Sequence, residues 1–383
     1  MKRIAQSPTD PAFVQDPYPF YDRLRAVGPL AFWTDYDLPV AASHAVVDAL
    51  LRDRRFGREE PNPPPRPAHQ AAFWAVEEHS MLELEPPRHT RLRSQVLRAF
   101  TSRRIAALGP EIAALAHELI DAFPAGPFDL LDAFARPLPV RVIARLLGVP
   151  ETDAPRLLAW SNAMVGMYQA RRTHADEVAA ANAAGAFAAY LADILDDPPP
   201  DTLVAHLRDV ADEGRLSPEE VTATCILLLN AGHEATVHTL GNGVAGLCAA
   251  GLWGTKVTPA LVEEVLRHDP PLHLFTRYAL DDVDAFDHRF ARGDRVGLLL
   301  AAANRDPAVF PDPARFDATR DPNPHVSFGA GLHFCLGAPL ARLELLNALQ
   351  VLSDRCPDLR PDARPRYADI YHFHGLARLD VTV

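Results

Sequence analysis

Lysine is almost missing from this chain: Lys2 and Lys256 are the only two in 383 residues, and every other basic side chain is arginine. We read this as a bias of the coding sequence rather than a functional choice. Basic residues are outnumbered, 38 against 50 acidic ones, for a formal charge of −12. Such a molecule repels phosphate backbones and anionic lipid, which excludes a nucleic-acid binder. Cysteine is also scarce. Cys225, Cys248, Cys335 and Cys356 stand far apart with no CxxC pair, so neither a zinc ribbon nor a disulfide framework is written here, and a reducing cytoplasm fits. Long apolar runs are lacking too. The start, MKRIAQSPTDP, has no signal-peptide core, and the longest run, Val296 to Ala303, falls short of the ~18 residues of a membrane span. These absences predict a soluble, unanchored cytoplasmic protein that engages neither membrane nor nucleic acid.

What is present is proline and long helical periodicity. The 36 prolines fall mainly at turns such as DPYP, EPP and FPDP, and PNPPPRP at 61 to 67 opens a loop. Between them, apolar spacing predicts helices over 15–26, 42–52, 88–99, 103–122, 139–147, 152–168, 174–196, 218–250, 258–267 and 338–355. Strand-like alternation is confined to 29–33, 38–41, 273–279, 288–299 and 371–383. The chain has room for two domains or one large one. With no repeats and no long linker, we expect one mainly α domain, residues 1–383, with a small β part.

Residues 328 to 344 read FGAGLHFCLGAPLARLE, with Gly329, Gly331 and Gly337 around one cysteine just ahead of a helix whose first turn carries Pro339. Glycines let amide N–H groups turn toward the sulfur, and a helix N-terminus adds positive partial charge; both favour a thiolate. Two readings stand on these residues alone: a soft anionic metal ligand, or a buried core cysteine beside a turn. Other motifs fail. GAGLHF lacks the third glycine of a dinucleotide fingerprint, and the chain has neither a Walker-type phosphate loop nor GxSxG.

Phe328, Gly331, Cys335 and Gly337 match F-x-x-G-x-x-x-C-x-G, and His333 extends the match to F-G-x-G-x-H-x-C-x-G. In this the chain resembles the cytochrome P-450 family in its bacterial soluble form. The resemblance implies the P-450 fold and haem b (iron protoporphyrin IX), with the metal held by Cys335 as thiolate ligand. It extends through DPYPFYDRLR, ANRDPAVFPDPARF and HFHGLARLDV, nearly the whole chain. By the same resemblance the anionic propionates are met by His89 and Arg93 in PPRHTRLR, Arg277 in LFTRYA, and His333. The stretch 246–260 is short for the helix-turn-helix the family has there.

The 218–250 segment holds CILLLNAGHEAT, where Gly232 costs ~1 kcal/mol relative to Ala and Glu234 is a charge among aliphatics. A zinc site through His233, Glu234 and His238 is disfavoured, since those histidines sit about 140° apart on a helix. The stretch resembles the family's oxygen-binding site, A-G-x-D/E-T-S/T, with one departure. Where the family usually has the threonine of its proton relay, this chain has Ala235, followed by Thr236. The implied catalytic group is therefore Gly232, Glu234, Ala235 and Thr236. Glu264 and Arg267 form an i, i+3 pair that alone would be a weak surface contact. As the family's E-x-x-R they imply a buried structural cluster with Arg315.

The resemblance implies a monooxygenase that uses O2 and two electrons to hydroxylate an apolar or moderately oxygenated small molecule. No flavin or iron-sulfur module is recognisable, so the electrons would come from a ferredoxin, or a flavodoxin, with its reductase. The basic stretch 88–104, six arginines and no acid, is the expected docking face, with Arg91, Arg98 and Arg103 as candidates. Pocket candidates are Trp74 and Leu82 (with Phe73 and Met81), the segment 163–177, Leu229 and Ala231 (with Leu228), Leu274 and Phe275 (with Thr276), and Phe373 (with His374). A peroxide-driven or oxidative-coupling member of the family is an alternative, as is a non-catalytic haem sensor. Fatty acid, terpenoid, steroid and macrolide all remain open as substrates.

Overall fold

Prolines and capping side chains set the helix ends. The structure, a computed structural model, describes residues 1–100, 102–169, 172–371 and 373–383. Thr173 accepts from the Asp176 amide while the Asp176 carboxylate accepts from the Thr173 amide, a capping box that starts the helix His174–Asp196 where its sequence places it. Thr258 caps Pro259–His268, and Pro339 lies in the first turn of Ala338–Arg355. The helix predicted over 15–26 is found as Tyr18–Arg25, with a separate short helix Pro11–Gln15 ahead of it, and that predicted over 103–122 is broken into Ser102–Ala107 and Gly109–Asp121. Pro17 stands between the first pair and Pro110 just after the break in the second, where each removes an amide donor and crowds the carbonyl four residues back.

The chain divides into two compact units. One comprises Met1–Asn62, Ala113–Ala135 and Ala235–Val383. It holds a six-stranded sheet in the order Arg3–Ile4, Ala31–Trp33, Leu38–Ala41, Arg295–Leu299, Leu274–Ala279 and Phe56–Gly57. Leu274–Ala279 runs antiparallel to Arg295–Leu299, with Arg277 opposite Val296. Buried Val296 and Leu298 pack with Val47, Leu50 and Phe290, and Leu299 with Trp33 and Phe20, so this sheet has a core on each side. The helix Pro218–Ala249 is followed by a loop from 250 to 258, in which Trp253 donates its indole N–H to Cys356 O at 2.9 Å.

The other unit comprises Pro63–Ile112 and Arg136–Glu234 and is helical. His174–Asp196 lies on Ala154–Val165 and Ala71–Glu77. It is long and apolar enough by composition to cross a membrane. In the fold, however, Ala180, Ala184, Phe187 and Leu191 are buried, and the Trp160 ring is 5.2 Å from that of Phe187. One face of the helix is thus packed against its neighbours within this unit. Leu203–Asp212, not anticipated above, buries Leu203, Val204, Leu207 and Val210 behind the cap Thr202. Residues 170 and 171 of the pocket segment, Thr101 of the basic stretch and His372 of the tail lie outside the described residues.

Candidate active site

In the unit that holds the sheet, the loop around Cys335 is built on backbone contacts. The Cys335 amide donates to Phe328 O at 2.9 Å, and the Ala338 amide reaches Cys335 O at 3.4 Å. At Gly331, φ is +71°, and a Cβ would stand 2.5 Å from Leu51 O and 3.0 Å from Arg52 Cα. Glycine is therefore required twice there, by conformation and by the close passage of the helix His44–Arg52. Gly337 is different: a Cβ would meet Cys335 Sγ at an ordinary 3.9 Å. Cys335 is half-buried. Burial instead pushes the thiols of Cys225 and Cys248 up to about 12 and about 11, which makes them inert.

Two ionic clusters tie down the segment that leads into this loop. The Glu264 carboxylate accepts from Arg267 Nε and Nη2, both at 2.7 Å, and both side chains are fully buried. The Asp317 amide, Asn323 and Arg320 Nε also donate to Glu264, and Arg267 donates to the carbonyls of Asn304, Pro313 and Arg315. Here the expectation is corrected. Arg315 contributes its carbonyl and its side chain is exposed, whereas Arg320 supplies the second guanidinium, 3.3 Å from Glu264. Spacing along an irregular loop cannot tell which arginine folds back. The second cluster was not foreseen: Glu263 accepts from Arg342 Nε at 2.6 Å and is 3.0 Å from His325 Nε2, and the Arg342 guanidinium lies 4.6 Å over the Phe328 ring. Burial opposes ionisation of Glu263, but the bonds from Arg342 and His325 outweigh it and hold its carboxyl down at about 2.

Arg277 is 1% exposed, its guanidinium 4.8 Å over the Phe275 ring with Nη1 donating to Thr276 O. His333 is half-buried in the single turn Gly331–His333 that precedes the cysteine. In the other unit, His89 is buried and Arg93 half-buried on the helix Arg88–Ala99, four residues apart and hence on one face. Arg91 of that helix is not a free surface cation: it forms an ion pair with Glu220 and donates to Arg215 O. Arg98 and Arg103 are exposed.

The helix Pro218–Ala249 contributes to both units. In the helical unit, Gly232 lets Ile143 approach, since a Cβ would meet Ile143 Cγ1 at 2.9 Å. Leu229 is buried, Ala231 exposed, and Glu234 lies 3.5 Å from His233 Nε2. In the sheet-bearing unit, Ala235 O accepts from Thr239 Oγ1 at 2.7 Å, and Thr236 faces Glu344. Glu344 is fully buried, and desolvation pushes its carboxyl well above the usual range, with the Thr236 hydroxyl easing this only in part. Neither Glu344 oxygen meets hydrogen-bond geometry with a partner among the described residues. Sequence reasoning missed Glu344, though a lone acid among the leucines of Ala338–Arg355 was the available signal.

Among pocket candidates, Trp74 donates its indole N–H to Gln70 and Leu82 is half-buried. Leu274, Phe275 and Phe373 are half-buried, with Phe373 bridged to Leu272. His233, Glu234 and His238 do not form a metal cluster among the described residues.

The unit that holds the sheet thus presents a half-buried cysteine in a glycine-bound loop at a helix start, and a fully buried guanidinium at Arg277. Residues 255–353 match the family model described as Cytochrome P450. The chain is 39% identical to "Cytochrome P450 monooxygenase PikC" of Streptomyces venezuelae, over 92% of this chain and 87% of that one. It is 35% identical to "Biotin biosynthesis cytochrome P450" of Bacillus subtilis, over 99% of both. The solved structure of P450BioI in complex with hexadec-9Z-enoic acid ligated acyl carrier protein superposes with a TM-score of 0.90 at 34% identity, over 97% of this chain and 99% of that one. The chain belongs to the cytochrome P450 family. It is a haem-thiolate monooxygenase, an oxidoreductase with a haem-iron cofactor.

Proposed function

We propose that Cys335 is the thiolate ligand and that the cofactor is haem b, its propionates met by Arg277, His333, His89 and Arg93. The carrying observation is the contrast between half-buried Cys335 and the deeply buried Cys225, together with a guanidinium at Arg277 that is withdrawn from solvent and suited to a carboxylate. Haem held by a thiolate supplies reductive activation of dioxygen for insertion of one oxygen atom into an apolar C–H bond. The chain's own groups orient and protonate. Glu264, Arg267, Glu263 and Arg342 fix the cysteine loop. Gly232 keeps the helix Pro218–Ala249 close to Ile143, and with no hydroxyl at Ala235, Glu234 takes up and passes on protons, ordered water or a hydroxyl of the substrate completing the relay.

Leu274, Phe275 and Phe373, with Trp74, Leu82, Leu229 and Ala231, are proposed to bind an apolar or moderately oxygenated small molecule. The whole chain, residues 1–383, is read as one functional haem domain working in the cytoplasm. Electrons are proposed to come from a ferredoxin or flavodoxin with its reductase, docking at Arg98 and Arg103. Arg91, tied to Glu220, drops out of that set. The test is turnover: with a ferredoxin, its reductase and NAD(P)H, a compound that shifts the Soret band should yield a product carrying one oxygen from O2. Product formed with hydrogen peroxide but not with reductant and O2 would replace this reading with the peroxygenase one.

A further inference from the structure

Away from the cysteine loop, the sheet-bearing unit buries a second set of ligand-type side chains. Asp269 ends the helix Pro259–His268, His273 follows the turn Pro270–Leu272, and His374 lies in the C-terminal segment. All three are buried, and one ligand atom from each lies within 4.8 Å of the others. His273 Nε2 is 3.9 Å and His374 Nε2 3.7 Å from Asp269 Oδ1. These separations are too long for hydrogen bonds. They suit a shared ion, because a point equidistant from the three atoms lies about 2.5 Å or less from each, a few tenths of an ångström beyond the about 2.0–2.2 Å of zinc bonds.

A second observation points the same way. His273 is fully buried, and its Nε2, which faces Asp269, has no hydrogen-bond partner among the described residues. A buried polar atom left so costs roughly 1–3 kcal/mol unless something binds it. Its other nitrogen is occupied: Nδ1 is 2.8 Å from Tyr21 Oη, which is 2.7 Å from Tyr371 Oη. In the tautomer that donates from Nδ1 to Tyr21, Nε2 presents its lone pair to the cluster. The carboxylate is oriented as well, Oδ1 accepting from Tyr18 at 2.7 Å and Oδ2 from Tyr367. Outer partners of this kind align ligands in metal centres.

We propose that Asp269, His273 and His374 form a binding site for a divalent transition-metal ion of the zinc type, separate from the haem. His374 is already pinned by its amide to Pro271 O, and Phe373 bridges Leu272, so the ion would clamp the C-terminal segment onto the turn leading into Leu274–Ala279. That clamp joins two of the segments proposed above to line the substrate pocket.

The experiment uses the haem-loaded protein, stripped with chelator and titrated with zinc chloride, with a crystal grown in zinc and measured at the zinc absorption edge. Expected is one zinc per chain, an anomalous peak between Asp269, His273 and His374, and a Tm that rises with zinc. His374→Gln, which keeps the two tyrosine bonds to Asp269, should bind zinc at least tenfold more weakly and lose the Tm response, with its haem content and CO spectrum unchanged. No peak at these residues, or unchanged affinity in His374→Gln, overturns the site. If that variant fails to fold, the wild-type anomalous map decides alone.

Discussion

Removing Arg267 should be among the most costly single changes in this protein, and the structure says by how much relative to its neighbours. Arg267, itself fully buried, spends two donors on Glu264 and the rest on the carbonyls of Asn304, Pro313 and Arg315. Breaking a buried pair from one side costs about 3–5 kcal/mol. Glu264 keeps the Asp317 amide, Asn323 and Arg320, so its charge is not fully stranded, but the three carbonyls lose their donor. We expect about 4 kcal/mol for Arg267→Ala. Arg267→Lys should lose about 2–3 kcal/mol, because an ammonium cannot fork across both oxygens and still reach the carbonyls. Arg320→Ala, removing one longer contact, should lose about 1–2 kcal/mol. Arg315→Ala should lie within about 0.5 kcal/mol of the parent, since only its backbone is used. Urea unfolding at neutral pH, with slopes compared to check that the transition is unchanged, measures the series. A loss at Arg315→Ala equal to that at Arg267→Lys would refute the assignment of Arg320 as the working side chain.

Other outcomes follow from the same geometry. The Glu263 carboxyl sits at about 2 when folded against an ordinary 4.5, so its stabilisation is full above about pH 4.5 and disappears as pH falls toward 2. Glu263→Gln should flatten that limb of the stability curve, and an unaltered acid limb would contradict the Arg342 and His325 cluster. Gly331→Ala should cost about 2–3 kcal/mol from positive φ and backbone collision combined, and more than Gly329→Ala, whose Cβ would meet nothing closer than 4.0 Å; stability measured on the pair checks the order. Charge reversal at Arg98 and Arg103 should slow reduction by an acidic ferredoxin in a salt-dependent way and leave substrate binding alone. Stopped-flow reduction that is unchanged at low salt removes the docking proposal.

The parts of this account legible in sequence were those set by local chemistry. Apolar periodicity placed His174–Asp196 and Ala338–Arg355, the latter with Pro339 in its first turn, and the Thr173 and Asp176 cap fixes the start of the former; glycines marked the tight loop at Gly331. What was missed depends on the chain returning to itself. Phe56–Gly57 and Phe128–Asp129 are too short to show alternation and are strands only because Leu274–Ala279 and Asp380–Thr382 pair with them. Arg320 rather than Arg315, and Glu220 as the partner of Arg91, are decided by loop paths that no periodicity encodes. Glu344 needed only attention to a carboxyl among leucines. Leu203–Asp212 shows its apolar stripe and its Thr202 cap plainly, but it is a short helix.

The central claim, that Cys335 is the thiolate ligand of the haem, rests on one spectroscopic comparison. The reduced CO adduct of the parent protein should show the red-shifted Soret band of thiolate ligation. Cys335→Ala, refolded or expressed with haem and still helical by circular dichroism, should lack it, while Cys225→Ala keeps it. A red-shifted band that persists in Cys335→Ala would mean that another group holds the iron and that the glycine-framed loop serves some other purpose.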